Sequence, residues 1–220
     1  MPDLPQIVAA QDLLLELKRR RFVIPASQIH REISLVASGL DQLDEVCQGG
    51  LPRGGITEFQ VPFGGSATVL YSLLAAATKR QETTALIDPG DGFDMASAAS
   101  LGVDLMRLLW VRARGIKEAL RAAELILDAG GFGLVALDLS FIEKRRNKVL
   151  PAATWLRIKK RASLCGALAV VFSATKTVGT FASLSVAVRQ GRARWGGRFA
   201  KERWLDGVDL SFELNRKRYG

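Results

Sequence analysis

The chain has one histidine, His30, and two cysteines, Cys47 and Cys165, in 220 residues. One histidine leaves no histidine-based triad or zinc site apart from any built on that residue. Two cysteines give neither a disulfide framework nor metal-ligand spacing, which fits a reducing, cytoplasmic setting; no metal and no cofactor is expected. Long hydrophobic runs are missing too. The longest near-apolar stretch, residues 164–174, is too short to cross a bilayer, so no membrane partner is expected. The N-terminus carries its cations, Lys18, Arg19, Arg20 and Arg21, after its apolar part, the reverse of a signal peptide. Acidic residues are scarce in the second half. Residues 1–140 hold 13 Lys/Arg and 17 Asp/Glu, a balance of −4; residues 141–220 hold 18 and 5, a balance of +13. Such asymmetry points to an acidic partner, nucleic acid first, or to a solvated basic surface.

What is present is a regular alternation. Residues 6–21 have helical periodicity, with Ile7, Leu13, Leu14 and Leu17 forming an apolar stripe, and 22–33 read as an extended linker. Residues 1–32 therefore form an N-terminal helix and linker, and 33–220 the core domain. Residues 39–46 read as a short helix and 48–54 as a turn cluster. Strands are expected at 56–61, 84–88, 108–112, 134–139 and 167–173. Helices are expected at 68–80, 94–101, 116–129 and 151–164, with charge gathered on one face of 116–129. Strands alternating with helices imply βαβ units and a mostly parallel, buried sheet. Residues 184–189 and 208–214 alternate apolar and polar positions and read as antiparallel edge strands, joined by a basic loop over 190–203.

The stretch GGITEFQVPFGGSAT runs from a strand through a loop into a helix starting near Ser66, which is the layout of a phosphate-binding P-loop. The pattern G-x-x-x-x-G-K-[ST] falls on Val61, Pro62, Phe63, Gly64, Gly65, Ser66, Ala67 and Thr68, and only Thr68 matches. The P-loop lysine neutralises phosphate charge, and its glycines let backbone N–H groups approach. Ala67 offers no charge and Val61 no glycine freedom.

Residues 33–218 resemble the RecA recombinase core. The segment SGLDQLDEVCQGGLPRGGITEFQVPFGGSAT is similar to the RecA entry into its P-loop. LIDPGDGFDMASAASLGVDLMRLL is similar to the region after its P-loop helix, LVALDLS to the Walker B strand, and NRKRYG to the lysine-bearing strand end near its nucleotide. On GGLPRGGITEF, GVDLMRLLWVRARGIKEALRAAELIL and the weakened P-loop, the chain more closely resembles ImuA, a RecA-like, SulA-related family of mutagenesis accessory proteins. These resemblances imply an α/β, RecA-like P-loop NTPase fold with a mostly parallel twisted sheet, antiparallel edge strands and a degenerate P-loop. They also imply a role in DNA-damage-induced (SOS) mutagenesis and translesion synthesis. The implied partners are RecA, the catalytically inactive Y-family polymerase relative ImuB, and an error-prone replicative-type polymerase.

By the same resemblance the catalytic glutamate position falls on Gly90, one residue before Asp91. Loss of lysine and glutamate together removes most of the positioning and charge stabilisation that phosphoryl transfer needs, so no ATPase activity is expected. Gly64, Gly65, Ser66, Thr68 and Asp138 remain as a vestigial nucleotide or anion site. Thr68 and Asp138 read either as a residual Mg²⁺ site or as an inherited cap and a polar strand end. Gly65 to Thr68 read alternatively as an anion site at a helix N-terminus. For nucleic acid the candidates are Arg145 and Arg146, then Arg192, Arg194, Trp195, Arg198, Lys201 and Arg203, with a second basic group, Arg157, Lys159, Lys160 and Arg161, on the helix at 151–164. The alternative is that the tryptophans pack under a hairpin and the arginines are solvated. Ile7, Leu13, Leu14 and Leu17 either dock on a partner or fold onto their own domain. The reading from the residues and the resemblance is a non-catalytic adaptor. A divergent RecA-type ATPase and a basic DNA-binding protein stand as the alternatives.

Overall fold

The computed structural model describes residues 34–140, 150–196 and 204–219, with 190–196 and 204–208 described as backbone. In chain order the elements are β1 (Leu35–Val36), α1 (Asp41–Val46), β2 (Leu51–Pro52), β3 (Ile56–Gln60), α2 (Ser66–Lys79), β4 (Thr84–Ile87) and α3 (Met95–Ser100). There follow β5 (Leu108–Val111), α4 (Ile116–Ala129), β6 (Leu134–Leu139), α5 (Ala152–Cys165), β7 (Leu168–Ser173), β8 (Leu184–Gly196) and β9 (Trp204–Lys217).

Seven strands form one sheet in the order β5-β4-β6-β7-β3-β8-β9. All neighbours from β5 to β8 are parallel, and β9 runs antiparallel to β8. The inner strands β4, β6 and β7 are buried at every residue, as a parallel sheet covered on both faces requires. Side chains alternate between two apolar clusters. Leu168, Val170 and Phe172 of β7 join one cluster with α2, α1 and part of β9, and Phe172 stacks on Phe59 at 5.3 Å. Ala169 and Val171 join the other cluster with α4 and α5. The molecule is therefore an α/β sandwich of helices, sheet and helices. Among the described residues no helix is long and apolar enough to cross a membrane.

The connection from β7 to β8 must cross β3. It does so on the α4/α5 side, where Val178 and Ala182 are buried, through a short 3-10 turn at Gly179–Phe181. This crossing segment has no strand partner for its N–H groups. Glu58, wholly buried on β3, supplies one: its Oε1 accepts from Thr177 N (2.5 Å) and Val178 N (2.7 Å). From the other side, Arg216 donates to the Gly179 carbonyl (2.8 Å) and Arg218 to that of Thr180 (3.0 Å).

Three expectations need correction. The 48–54 turn cluster contains a strand: β2 pairs antiparallel with β1, and Gly50 is obligatory there, since a Cβ would lie 2.3 Å from the Val36 carbonyl oxygen. In the expected 190–203 loop, residues 190–196 are strand, β8 continuing to Gly196, and 197–203 lie outside the described residues. Charge on α4 is not confined to an outer face. Glu124 is buried and pairs with Arg157 (2.8 Å) and Arg161 (3.8 Å) of α5. Arg161 also holds Asp128 (2.6 Å), so half of the basic group expected on α5 is spent joining α5 to α4.

Removing Glu58 leaves two backbone donors, one half-buried at Thr177 and one buried at Val178, without their acceptor. Glu58→Ala is expected to lower the unfolding free energy by about 2–4 kcal/mol. Glu58→Gln, whose amide oxygen still accepts, is expected to lose clearly less. Chemical denaturation of the two variants beside the parent checks this.

Candidate functional site

The strand–loop–helix stretch sits at the C-terminal end of the sheet, where open α/β sheets place their ligand crevices. β3 is prolonged by Val61, whose N–H donates to the Ser173 carbonyl (2.8 Å). The loop then turns through Gly64 (φ +94°) and Gly65 (φ +88°), left-handed conformations that favour glycine. Gly65 is the N-cap of α2 and no side chain caps this helix. Its first N–H groups are left without intrahelical partners, as at any helix start. A Cβ at Gly65 would lie 3.1 Å from Leu210 Cδ2 and 3.5 Å from Val188 Cγ1, so the base of the β8–β9 hairpin roofs the loop with apolar side chains. Phe63, at the loop tip, is exposed.

Beneath the loop, the ends of β4 and β6 and the first turns of α2 enclose a cavity of about 20 Å³, room for about one water-sized group. Among the described residues Ser66, Ala67, Tyr71, Phe93, Asp88 and Asp138 line it together with three others, and none of these is Lys, Arg or His. Both carboxylates are buried. Asp88 accepts from Gly90 N (3.1 Å), Phe93 N (3.0 Å) and Trp110 Nε1 (3.3 Å), which fixes the 89–93 loop. Tyr71, Phe93 and Trp110 form an edge-to-face series over it, with centroids 5.6 and 5.3 Å apart. Asp138 Oδ1 accepts from Ser140 N (2.9 Å) and Ser140 Oγ (2.5 Å), and Ser140 Oγ reaches Ser66 Oγ at 3.4 Å. Burial pushes the Asp138 carboxyl above the usual range; the Ser140 bonds oppose this, and the charge of Asp88 adds to the rise.

The geometry joins Ser66 and Asp138 through Ser140, with Gly64 and Gly65 shaping the loop above them. Thr68 is exposed in the first turn of α2 and caps nothing. Gly90 is exposed. Asp91, its neighbour, is left-handed (φ +52°) and bound by both arms of the Arg112 guanidinium, which holds its carboxyl below the usual range. Asp91 does not line the cavity. Arg112 also lies over the Trp110 ring at 5.2 Å. Arg192, Arg194 and Trp195 lie on β8, where Arg194 pairs with Gly207 and Trp195 with Leu205 of β9. Ile7, Leu13, Leu14, Leu17, Arg145, Arg146, Arg198, Lys201 and Arg203 lie outside the described residues. Sequence reasoning missed Asp88, Tyr71, Ser140 and the roof at Leu210. Asp88 had a signal, an acid at a strand end before a Gly/Asp-rich loop; Leu210 had none, because its contact comes from a distant hairpin.

Comparison with known proteins places these features. The model of the RecA N-terminal domain matches residues 21–144. The chain is similar to Protein RecA of Lactobacillus delbrueckii subsp. bulgaricus, 34% identical over 113 residues, covering 50% of this chain and 34% of that protein. It is also similar to Protein RecA of Deinococcus radiodurans, 34% identical over 109 residues, covering 49% and 30%. Protein RecA of Chlorobium chlorochromatii is 35% identical over 91 residues, covering 41% and 26%. The chain thus spans about a third of the length of the curated relatives it matches. The matched region runs through β6 and ends before α5 and the β8–β9 hairpin.

Asp138 titrates with a definite sign. The fold favours its neutral form, so the stability it contributes is present at low pH and is lost as pH rises through the raised pKa. Asp138→Asn keeps an acceptor for Ser140 without the charge. It is expected to raise the thermal midpoint at pH 7 by about 2–4 °C. The gain should vanish below about pH 4, where aspartate is protonated folded or unfolded. Melting curves of both proteins from pH 3.5 to 8 check this.

Proposed function

The chain belongs to the RecA N-terminal domain family, and from that premise we propose that it is a non-catalytic RecA-like adaptor of the ImuA type, acting in DNA-damage-induced mutagenesis and translesion synthesis. The observation that carries this reading is the cavity beneath the loop. Ala67 stands at the P-loop lysine position, and among the described residues no cation lines the space. Phosphoryl transfer runs on fixed positive charge around the phosphates. Two buried acids with no cation among the described lining residues offer a polyphosphate no counter-charge, and an apolar roof at Leu210 narrows its approach. The surrounding fold keeps the rigidity of a nucleotide switch while its chemistry is gone, which suits a docking platform. In this reading the partners are RecA, an inactive Y-family polymerase relative and an error-prone replicative-type polymerase, with Ile7, Leu13, Leu14 and Leu17 as one docking element.

A contact with nucleic acid is the second reading, favoured by the hairpin. β8 pairs with β3 only over Leu184 to Ala187, then continues to Gly196 beside β9 alone. A two-stranded ribbon is of a width that a duplex major groove admits, and this one carries Arg192, Arg194 and Trp195.

Calorimetric titration with ATP and a non-hydrolysable analogue, with Mg²⁺ present, tests the first reading. No binding is expected up to millimolar nucleotide. Micromolar binding lost in Thr68→Ala or Asp138→Ala overturns it in favour of a divergent ATPase. Duplex binding across a salt series tests the second. Removing Arg192 and Arg194 together is expected to reduce the log–log salt slope by about 1.8 if both meet phosphate; an unchanged slope removes the ribbon from the DNA interface.

A further inference from the structure

We propose that the cavity between α2, β4 and β6 is a binding site for a primary ammonium group, supplied from outside the chain and seated against Asp138 and Ser66. The inference does not depend on the adaptor reading, since it concerns what the cavity accepts and not what the protein does with it.

Charge is the first part of the argument. Asp88 and Asp138 are 2% and 6% exposed and line one cavity. Every hydrogen bond they receive from the described residues comes from a neutral donor: backbone N–H groups, an indole and a serine hydroxyl. Buried carboxylates are ordinarily paired with a cation or bound to a metal. Arg112 is the cation that acts on Asp88, yet it is largely exposed and held by Asp91. Among the described residues no group of three or more His, Cys, Asp or Glu is placed to hold a metal ion. Among the described residues, the two acids are thus left without a positive partner within the cavity.

Shape is the second part. Ala67 is exposed and lines the cavity, so the opening lies on the side where the P-loop pattern places a lysine. The side chain that would bring an ammonium group to this point ends at Cβ. The enclosed space of about 20 Å³ suits one compact head of water size. An ammonium group is a compact charge with three donors, for which Asp138 and the Ser66 hydroxyl are acceptors. A planar guanidinium or a quaternary ammonium is too large for the enclosed part and, in the quaternary case, has no N–H to donate. The ligand class is therefore an unbranched alkyl primary amine. Its source is either a free amine or a lysine side chain of a partner protein.

The test uses the full chain at constant ionic strength. Calorimetry and thermal melting are run with n-propylammonium, with Nα-acetyl-lysine amide, and with tetramethylammonium as the control. Saturable binding of the first two is expected, with dissociation constants on the order of millimolar for ligands of this size. Affinity for tetramethylammonium should be weaker by roughly tenfold or more. Asp138→Asn, which keeps its Ser140 bonds, should abolish the response. Ala67→Lys should fill the site from within, raise the melting temperature and make the protein indifferent to added amine. Preference for the lysine derivative assigns the site to a partner protein; equal response to both assigns it to free amines. A response no larger than that to tetramethylammonium, or one that survives in Asp138→Asn, overturns the proposal.

Discussion

The position of β3 is the constraint on which the rest of the structure depends. It is bordered by β7 on one edge and β8 on the other, with helices on one face and a crossing chain segment on the other. The segment leaving β7 has to pass over it, and a buried backbone cannot be left with idle donors. Glu58 resolves this by giving one carboxylate oxygen to two consecutive N–H groups. That single residue ties the strand feeding the glycine loop to the segment that starts β8. The loop above α2, the crossing segment and the hairpin root therefore share one anchor.

The cavity at the end of β4 and β6 follows from the same scaffold with its charge balance altered. The parallel sheet delivers two acids to one point, and α2 begins where a counter-charge would stand. With alanine there, no cation among the described residues lines the space. Neutral donors from Ser140, Trp110 and the 89–93 backbone hold the acids in place, yet they satisfy hydrogen bonding without supplying charge. The ammonium site proposed above rests on that charge balance.

Much of the architecture was legible in the residues, for identifiable reasons. The strands at 134–139 and 168–173 are continuous apolar runs, and the helix at 116–129 has clean amphipathic spacing, so both kinds of element emerge within a residue or so of their expected bounds. The long hairpin was only half legible. Residues 190–196 are rich in Arg and Gly and show no apolar alternation, and this part of β8 runs beyond β3, paired with β9 alone. Glu124 was misplaced because burial of an acid is set by its partners, and Arg157 and Arg161 come from another helix. The strand–loop–helix layout, with the helix starting at Ser66, could be read directly. The roof formed by Leu210 and Val188 could not, since it depends on the twist that brings β9 back over the loop.

The hairpin also has a mechanical meaning. It is fastened to the sheet by four residue pairs and runs on for nine more residues along β8, with register shifts that increase its twist. Such an element is a lever. Whatever grips its outer part applies a torque at Ala187 and Val188, and the side chains nearest that fulcrum are the ones resting on Gly65. Tension on the ribbon would lift or press the apolar lid over the glycine loop. The end of β8 at Gly196 lies about 30 Å along the strand from that fulcrum, at 3.3 Å per residue.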